Sequence, residues 1–180
     1  MATISYRVPL AEWLFGNTAS SWIWLIVRLY LGYEWFMAGW AKVGADAWTG
    51  AHAGKALGGF VVGALQKTGG AHPDVQSWYA AFLQNVVQTN PQFWSYLVAY
   101  GELLVGIALI LGVVTGVAAF FGVLMNMNYL LAGTVSVNPQ MLILGFFLIL
   151  AWKVAGYWGG DYYALPLLGA PWGHKNVSSA

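Results

Sequence analysis

Four long apolar runs, separated by short polar breaks, dominate the pattern along the chain. They cover residues 21–41, 93–113, 116–135 and 140–157. A helix of about 20 apolar residues is about 30 Å long, which matches the hydrocarbon thickness of a bilayer. The last two breaks are so short that the helices on either side must be antiparallel neighbours. The pattern predicts an all-α fold, an integral membrane four-helix bundle in a single domain over residues 1–180.

The connection between the first two runs has an amphipathic pattern instead. Between residues 74 and 88, apolar side chains recur at helical spacing opposite polar ones, which predicts a helix with Asp74 as its N-cap. A weaker, glycine-rich repeat occupies residues 55–67. We expect residues 48–90 to form one or two interfacial or re-entrant helices, which lie as a lid on one membrane face.

Composition agrees with a lipid-embedded chain and disfavours a soluble enzyme. Hydrophobic residues make up 59% of the sequence and charged residues 7%, whereas about a quarter of a soluble domain is charged. The net charge of +1 gives no reason to expect a nucleic-acid partner. Cysteine is absent, so a redox role must use a borrowed electron carrier rather than thiols or thiolate-bound clusters.

Carboxylate and amide side chains interrupt the apolar runs at mid-depth. In straight helices, Glu34 and Glu102 lie about 12 Å and 13 Å from the same membrane face, and Asn126 and Asn128 approach that level from a third helix. Charges at this depth cost several kcal/mol each unless they are paired or hydrated. The asparagines are either interhelical hydrogen-bond links or part of a site. For Glu34, the alternative to a role in a functional site is contact with water or with a neighbouring helix.

Arg28 is the most deeply placed cation of the first run. At about 100° per residue, Arg28, Trp35 and Lys42 share one stripe of the helix, and Glu34 is turned roughly 120° away from it. We therefore expect Arg28 to pair with Glu102 across the bundle. This pair is either a structural lock or part of a functional site. Lys42 has a simpler alternative, which is a snorkelling anchor.

A functional interpretation of these residues is a chamber that opens toward the lid. Arg28 and Lys42 would supply positive charge, and Trp35 and Trp40 a flat apolar wall. Glu102 or Glu34 would supply a carboxylate for proton transfer. Such a chamber suits a quinone, because its ring needs an apolar slot and its oxygens need hydrogen bonds and protons during reduction. It also suits a small sulfur oxyanion. The histidines lie outside the apolar runs, so we expect no metal or haem site.

Three segments resemble motifs of the DoxX family. They are RLYLGYEWFMAGWAK at residues 28–42, YGELLVGIALILG at residues 100–112 and NMNY at residues 126–129. The likeness extends over roughly residues 21–158. The family includes the small membrane subunit of thiosulfate:quinone oxidoreductase, which works with a partner subunit to oxidise thiosulfate to tetrathionate and reduce a membrane quinone.

The resemblance implies a quinone-linked oxidoreductase, or a subunit of one, in a prokaryotic cytoplasmic membrane. The reductant would be thiosulfate or a related small sulfur compound, and quinone would accept the electrons without a metal, haem or flavin. Its partners would be membrane lipid and a second subunit or further copies of the chain. The expected catalytic residues are Arg28, Glu34 and Glu102. The expected residues for substrate and quinone binding are Lys42, Trp35, Trp40, Asn126, Asn128 and Tyr129.

Two functions from other classes fit the same residues. A small-anion transporter would use the buried charges to line a permeation path, although the chain shows no inverted repeat of the kind common in transporters. A non-catalytic membrane anchor of a redox complex would need those charges only for folding. Quinone binding would distinguish a redox subunit from both.

Overall fold

The computed structural model of the chain describes residues 8–169, and that part is helical without any strand. The helices are α1 Pro9–Gly16, α2 Ser21–Val43, α3 Asp46–Thr49, α4 Lys55–Leu65, α5 Ser77–Phe82, α6 Pro91–Leu111, α7 Thr115–Leu131, α8 Asn138–Leu150, α9 Trp152–Ala155 and α10 Asp161–Leu167. A 3₁₀ turn, Thr18–Ser20, precedes α2, and a π-helical turn, Leu83–Val87, follows α5. The predicted all-α fold is confirmed.

The long helices lie on the predicted apolar runs. Helices α2, α6 and α7 occupy the first three, and the fourth is divided at Ala151 between α8 and α9. Among the described helices, α6 is the one that is both long and apolar enough to cross a membrane; α7 and α8 are apolar but shorter. Helix α2 is longer but contains Arg28, Glu34 and Lys42. The four-span bundle therefore stays a prediction.

Helices α2 and α6 pack with their backbones almost in contact. A Cβ atom on Gly39 would lie 2.3 Å from the Leu103 nitrogen, and one on Gly106 would lie 2.3 Å from the Phe36 nitrogen. Small residues permit such close approach in membrane helices. The two glycines therefore fix the register of α2 against α6.

Two apolar cores hold the helices together. The first lies among α2, α6, α7, α8 and α9, and includes Leu31, Leu109 and Leu148. The second joins α4 and α5 to the end of α7, and includes Val61 and Leu83. The lid is therefore packed onto the bundle rather than standing apart from it.

The second lid helix begins later than the sequence predicts. Helix α5 begins at Ser77, and Gln76 rather than Asp74 occupies the N-cap position, so the predicted cap is wrong. The side chain of Val75 is fully buried, and its N–H donates to the Lys67 carbonyl at 3.2 Å. This tertiary contact ties the segment before Ser77 to the chain that follows α4, and it overrides the local capping signal.

Replacing Gly106 by alanine should test the α2–α6 contact. The added methyl group would meet the Phe36 backbone, so we expect Gly106→Ala to cost about 1–3 kcal/mol of stability and to lower the Tm in detergent. Gly59→Ala in α4 is the matched control, because nothing lies within 4 Å of its Cβ position and alanine favours helix. A wild-type Tm for Gly106→Ala would contradict the close packing.

Candidate functional site

Glu102 is a buried carboxylate that joins three helices. Its side chain is 1% exposed and belongs to α6. One carboxylate oxygen accepts a hydrogen bond from Lys42 Nζ of α2 at 2.6 Å, and the other accepts from the hydroxyl of Tyr129 of α7. Because a lysine ammonium and a tyrosine hydroxyl both donate to it, this is the arrangement of an ionised carboxylate.

Lys42 connects this carboxylate to the edge of the bundle. Its side chain is 19% exposed, and Nζ lies 5.2 Å from the centroid of the Trp48 ring, within the range of a cation–π contact. Lys42 therefore does more than anchor the end of α2, because it neutralises Glu102.

Arg28 lies toward the other end of α2, and its predicted pairing with Glu102 is wrong. It precedes Lys42 by fourteen residues, a rise of about 21 Å. Its Nη2 donates to the Trp158 carbonyl at 2.8 Å, and the carboxylate of Asp161 supplies an electrostatic partner. Within residues 8–169, Nε and Nη1 of Arg28 make no hydrogen bond. The chain after α9 folds back over the α6–α7 turn. Asp161, rather than Glu102, therefore lies beside Arg28.

Asp161 also holds the α6–α7 turn. Its carboxylate accepts hydrogen bonds from the N–H groups of Val114 and Thr115, the latter at 2.9 Å, at the start of α7, where negative charge is favourable. Its own N–H donates to the Gly112 carbonyl at 2.6 Å. Gly112 has φ of 66°, and a Cβ there would lie 1.6 Å from Arg28 Nη1. We call Arg28 and Asp161 the structural lock.

The two tryptophans predicted to form the wall of the chamber lie elsewhere. Trp35 is buried in the first core, and its indole packs against Gly122 of α7. Trp40 is 61% exposed and stacks on Phe36 of its own helix. The prediction that these two residues build one wall is wrong, because they leave α2 in different directions.

Two more predicted site residues, Asn126 and Glu34, lie away from the hydrogen bonds around Glu102. Asn126 is buried and donates to the Asn138 carbonyl at 3.3 Å, so it links α7 to the start of α8. Glu34 is half-buried, and no hydrogen bond or ion pair reaches its carboxylate from the described residues. Neither residue joins the contacts around Glu102.

An apolar cleft of about 440 Å³ lies between the lid and helices α6 and α7. Its aromatic lining includes Trp48, Phe60, Tyr79, Phe82, Trp94 and Phe121. Asn128 and Tyr129 of α7 also line it, and both were predicted to bind a ligand. Tyr129 joins the cleft to the buried Glu102, because its hydroxyl donates to that carboxylate.

The rim of the cleft lies on the apolar outer surface of the bundle. Four lining side chains are exposed there: Leu97 and Leu104 of α6, and Phe121 and Leu124 of α7. The cleft therefore opens on an apolar surface between α6 and α7.

Tyr79 fastens the lid to α7 over this cleft. Its hydroxyl donates to Asn128, with the backbone oxygen at 2.9 Å and the side-chain oxygen at 3.1 Å. Burial raises the pKa of Tyr79 to about 12, so the hydroxyl keeps its hydrogen at neutral pH. Nearby, Lys67 Nζ donates to the Gly133 carbonyl at 2.7 Å. These two contacts hold the lid at the end of α7.

The ion pair and the cleft lie within a segment that known proteins share. The family model for DoxX matches residues 23–135, well over half of the chain. The chain belongs to the DoxX family. The resemblance seen in the sequence is thereby confirmed, and membership makes this a membrane protein. Searches among curated proteins and among solved structures each gave no match.

Some residues of this DoxX protein's site escaped the sequence analysis. Phe60 and Tyr79 lie on the apolar faces of the lid helices, which helical periodicity identifies without saying what those faces cover. Asp161 follows Gly159 and Gly160, a pattern that suggests the start of a helix. The sequence gives no sign that its carboxylate caps a different helix.

Removing the charge of Arg28 should destabilise this DoxX protein without affecting the cleft. Arg28→Met removes a cationic neighbour of Asp161 and the hydrogen bond to the Trp158 carbonyl, so we expect a loss of about 1–3 kcal/mol and a lower Tm. Lys153→Met, at an exposed lysine of α9, is the matched control and should melt as wild type does. A wild-type Tm for Arg28→Met would contradict the structural lock.

Proposed function

We propose that this DoxX protein is a membrane quinone-linked oxidoreductase, or a subunit of one, whose cleft binds the quinone ring. The observation that supports it best is the apolar cleft of about 440 Å³, whose lining includes Tyr129, a hydrogen-bond donor to the buried Glu102. Ligand pockets are commonly about 300–1,000 Å³ and largely apolar, with a few polar groups that orient the ligand. A quinone has this same division between an apolar ring and polar oxygens.

In this proposed function the chain crosses the membrane four times. Helices α2, α6 and α7 each form one span, and α8 and α9 together form the fourth. Large apolar side chains such as Ile26, Leu104 and Phe146 are exposed on the outer faces of these helices, where lipid would cover them. Residues 138–155 of the last pair have a combined helical length of about 27 Å. Arg28 and Glu102 each have an oppositely charged neighbour, as intramembrane charges require.

The chemistry proposed is the reduction of quinone to quinol by a small sulfur compound. Two thiosulfate ions join through a new sulfur–sulfur bond, form tetrathionate and release two electrons. The quinone takes up these electrons together with two protons. Tyr129, Glu102 and Lys42 form a hydrogen-bonded series that links the cleft to the partly exposed end of α2, and protons released or taken up by the ring can be exchanged along such a series.

The sulfur compound would react outside the cleft. The residues that line the cleft include no lysine or arginine, Lys42 is paired with Glu102, and Arg28 lies far from both. An anion would find no unpaired cation among these described residues. A second subunit or a second copy of the chain would then hold the sulfur compound and pass on its electrons.

The same charge pairing disfavours a small-anion transporter. Selective anion paths are lined by positive charge or by hydrogen-bond donors, whereas this cleft is lined mainly by apolar and aromatic side chains. A non-catalytic anchor gives no role to the cleft or to the bond between its lining residue Tyr129 and the buried Glu102. We therefore retain quinone-linked redox chemistry as the proposed function.

Filling the cleft should weaken quinone binding. A Cβ on Gly101 would meet Met125 Sδ at 3.6 Å, an ordinary contact, so Gly101→Ala fits and the larger side chain of Gly101→Leu fills the space. Bound quinone should quench the fluorescence of Trp48 and Trp94, which line the cleft. With a short-chain ubiquinone, we expect the Kd to rise about tenfold or more in Gly101→Leu and to change less than about twofold in Gly101→Ala. Identical quenching in both variants would place the quinone elsewhere.

Turnover should depend on Glu102 more than on Glu34. Glu102→Gln removes the ionisable group behind Tyr129, so thiosulfate-dependent reduction of a short-chain ubiquinone should fall by about 10²-fold. Glu34→Gln is the comparison within the bundle, and we expect little change because no hydrogen bond or ion pair reaches that carboxylate from residues 8–169. The assay follows quinone absorbance in membranes that contain the chain together with its partners. Wild-type turnover in Glu102→Gln would contradict the proposed role.

A further inference from the structure

We propose that the cleft binds the reduced, hydroxyl-bearing form of its ring ligand more tightly than the ketone form. The Tyr129 oxygen would accept the hydrogen bond of the ligand hydroxyl. This inference rests on the proposed function, because it concerns the same cleft and the same class of ligand. It follows from the direction of the hydrogen bonds at the end of the cleft.

The single hydrogen of the Tyr129 hydroxyl is committed to Glu102. Glu102 also accepts from Lys42 Nζ at 2.6 Å, so its carboxylate is held in the ionised form. An ionised carboxylate has no hydrogen to donate. The hydrogen between these two side chains therefore belongs to Tyr129, which lines the cleft, and the tyrosine oxygen keeps a lone pair that can accept a further hydrogen bond.

Other polar groups of the lining have donors that are mostly engaged as well. The Tyr79 hydroxyl donates to Asn128, and the Asn128 amide donates to a carbonyl of its own helix at 2.8 Å. The Trp94 indole donates to a carbonyl of the π-helical turn at 3.2 Å. Among the described lining residues, the Trp48 indole and one amide hydrogen of Asn128 are the donors that remain. Tyr129 therefore presents an acceptor, which a ketone oxygen cannot use and a hydroxyl can.

The preference has a consequence for redox chemistry. A net hydrogen bond at a buried site is worth up to about tenfold in affinity. A tenfold preference for the reduced form raises the midpoint potential of a bound two-electron couple by about 30 mV. The bond to Tyr129 would thus make bound quinone a stronger oxidant than free quinone.

Competition between a phenol and its methyl ether tests the preference without turnover. Full-length protein in detergent is loaded with a short-chain ubiquinone, and its displacement is followed by recovery of tryptophan fluorescence. The competitors are 4-heptylphenol and its methyl ether, compared after correction for their measured partition into micelles. Wild type should release ubiquinone at a roughly tenfold lower concentration of the phenol than of the ether.

Tyr129→Phe keeps the shape of the cleft and removes the acceptor, so the ratio between ether and phenol should fall to near one. Tyr100→Phe, at an exposed tyrosine of α6 that does not line the cleft, is the matched control and should keep the wild-type ratio. If Tyr129→Phe fails to fold, Glu102→Gln serves instead. Its amide can donate to Tyr129 and free the tyrosine hydrogen, so the ratio should again fall.

The outcomes separate this inference from the function on which it rests. A ratio near one in wild type, with ubiquinone bound and displaced normally, overturns the preference and leaves the proposed function standing. A ratio that stays at the wild-type value in Tyr129→Phe or Glu102→Gln also overturns it. If wild type shows no saturable quenching by ubiquinone, or if Gly101→Leu leaves that quenching unchanged, both the preference and the proposed function are overturned.

Discussion

A carboxylate inside an apolar helix bundle has to be neutralised where it stands, because an unpaired buried charge costs several kcal/mol. In this DoxX protein Lys42 neutralises Glu102 at 2.6 Å. The pair forms because α2 and α6 approach so closely at Gly39 and Gly106. Once Lys42 occupies one carboxylate oxygen, the other is available to Tyr129. This bond turns the end of an otherwise apolar cleft into a polar one.

Arg28 and Lys42 lie toward opposite ends of α2 and serve different purposes. Arg28 joins Asp161 and the α6–α7 turn, where Gly112 leaves space for the guanidinium. Lys42 joins the carboxylate behind the cleft. Because each has an anionic neighbour, little positive charge is left to attract an anion. The arrangement therefore favours a neutral, lipid-soluble ligand that enters through the exposed rim between α6 and α7.

Local sequence patterns predicted the helices well, but they could not predict contacts between segments that lie far apart along the chain. Apolar runs and amphipathic repeats reflect the backbone geometry of each helix, so α2, α6, α7 and the lid could be predicted from them. Helical wheels give the direction in which Arg28 leaves its helix but not which later segment reaches it. Asp161 lies far along the chain and outside the apolar runs, so the incorrect pairing with Glu102 was the natural one. For Trp40 the wheel did not reveal that its ring stays outside the cleft.

An experimental structure of the full chain with a short-chain ubiquinone bound is the most direct test of this account. We predict density for the ring between the lid and α7, beside the residues that line the cleft there, with the tail leaving between α6 and α7. Lys42 should remain paired with Glu102. Density for the ring beside Arg28, or an empty cleft at saturating ubiquinone, would contradict it.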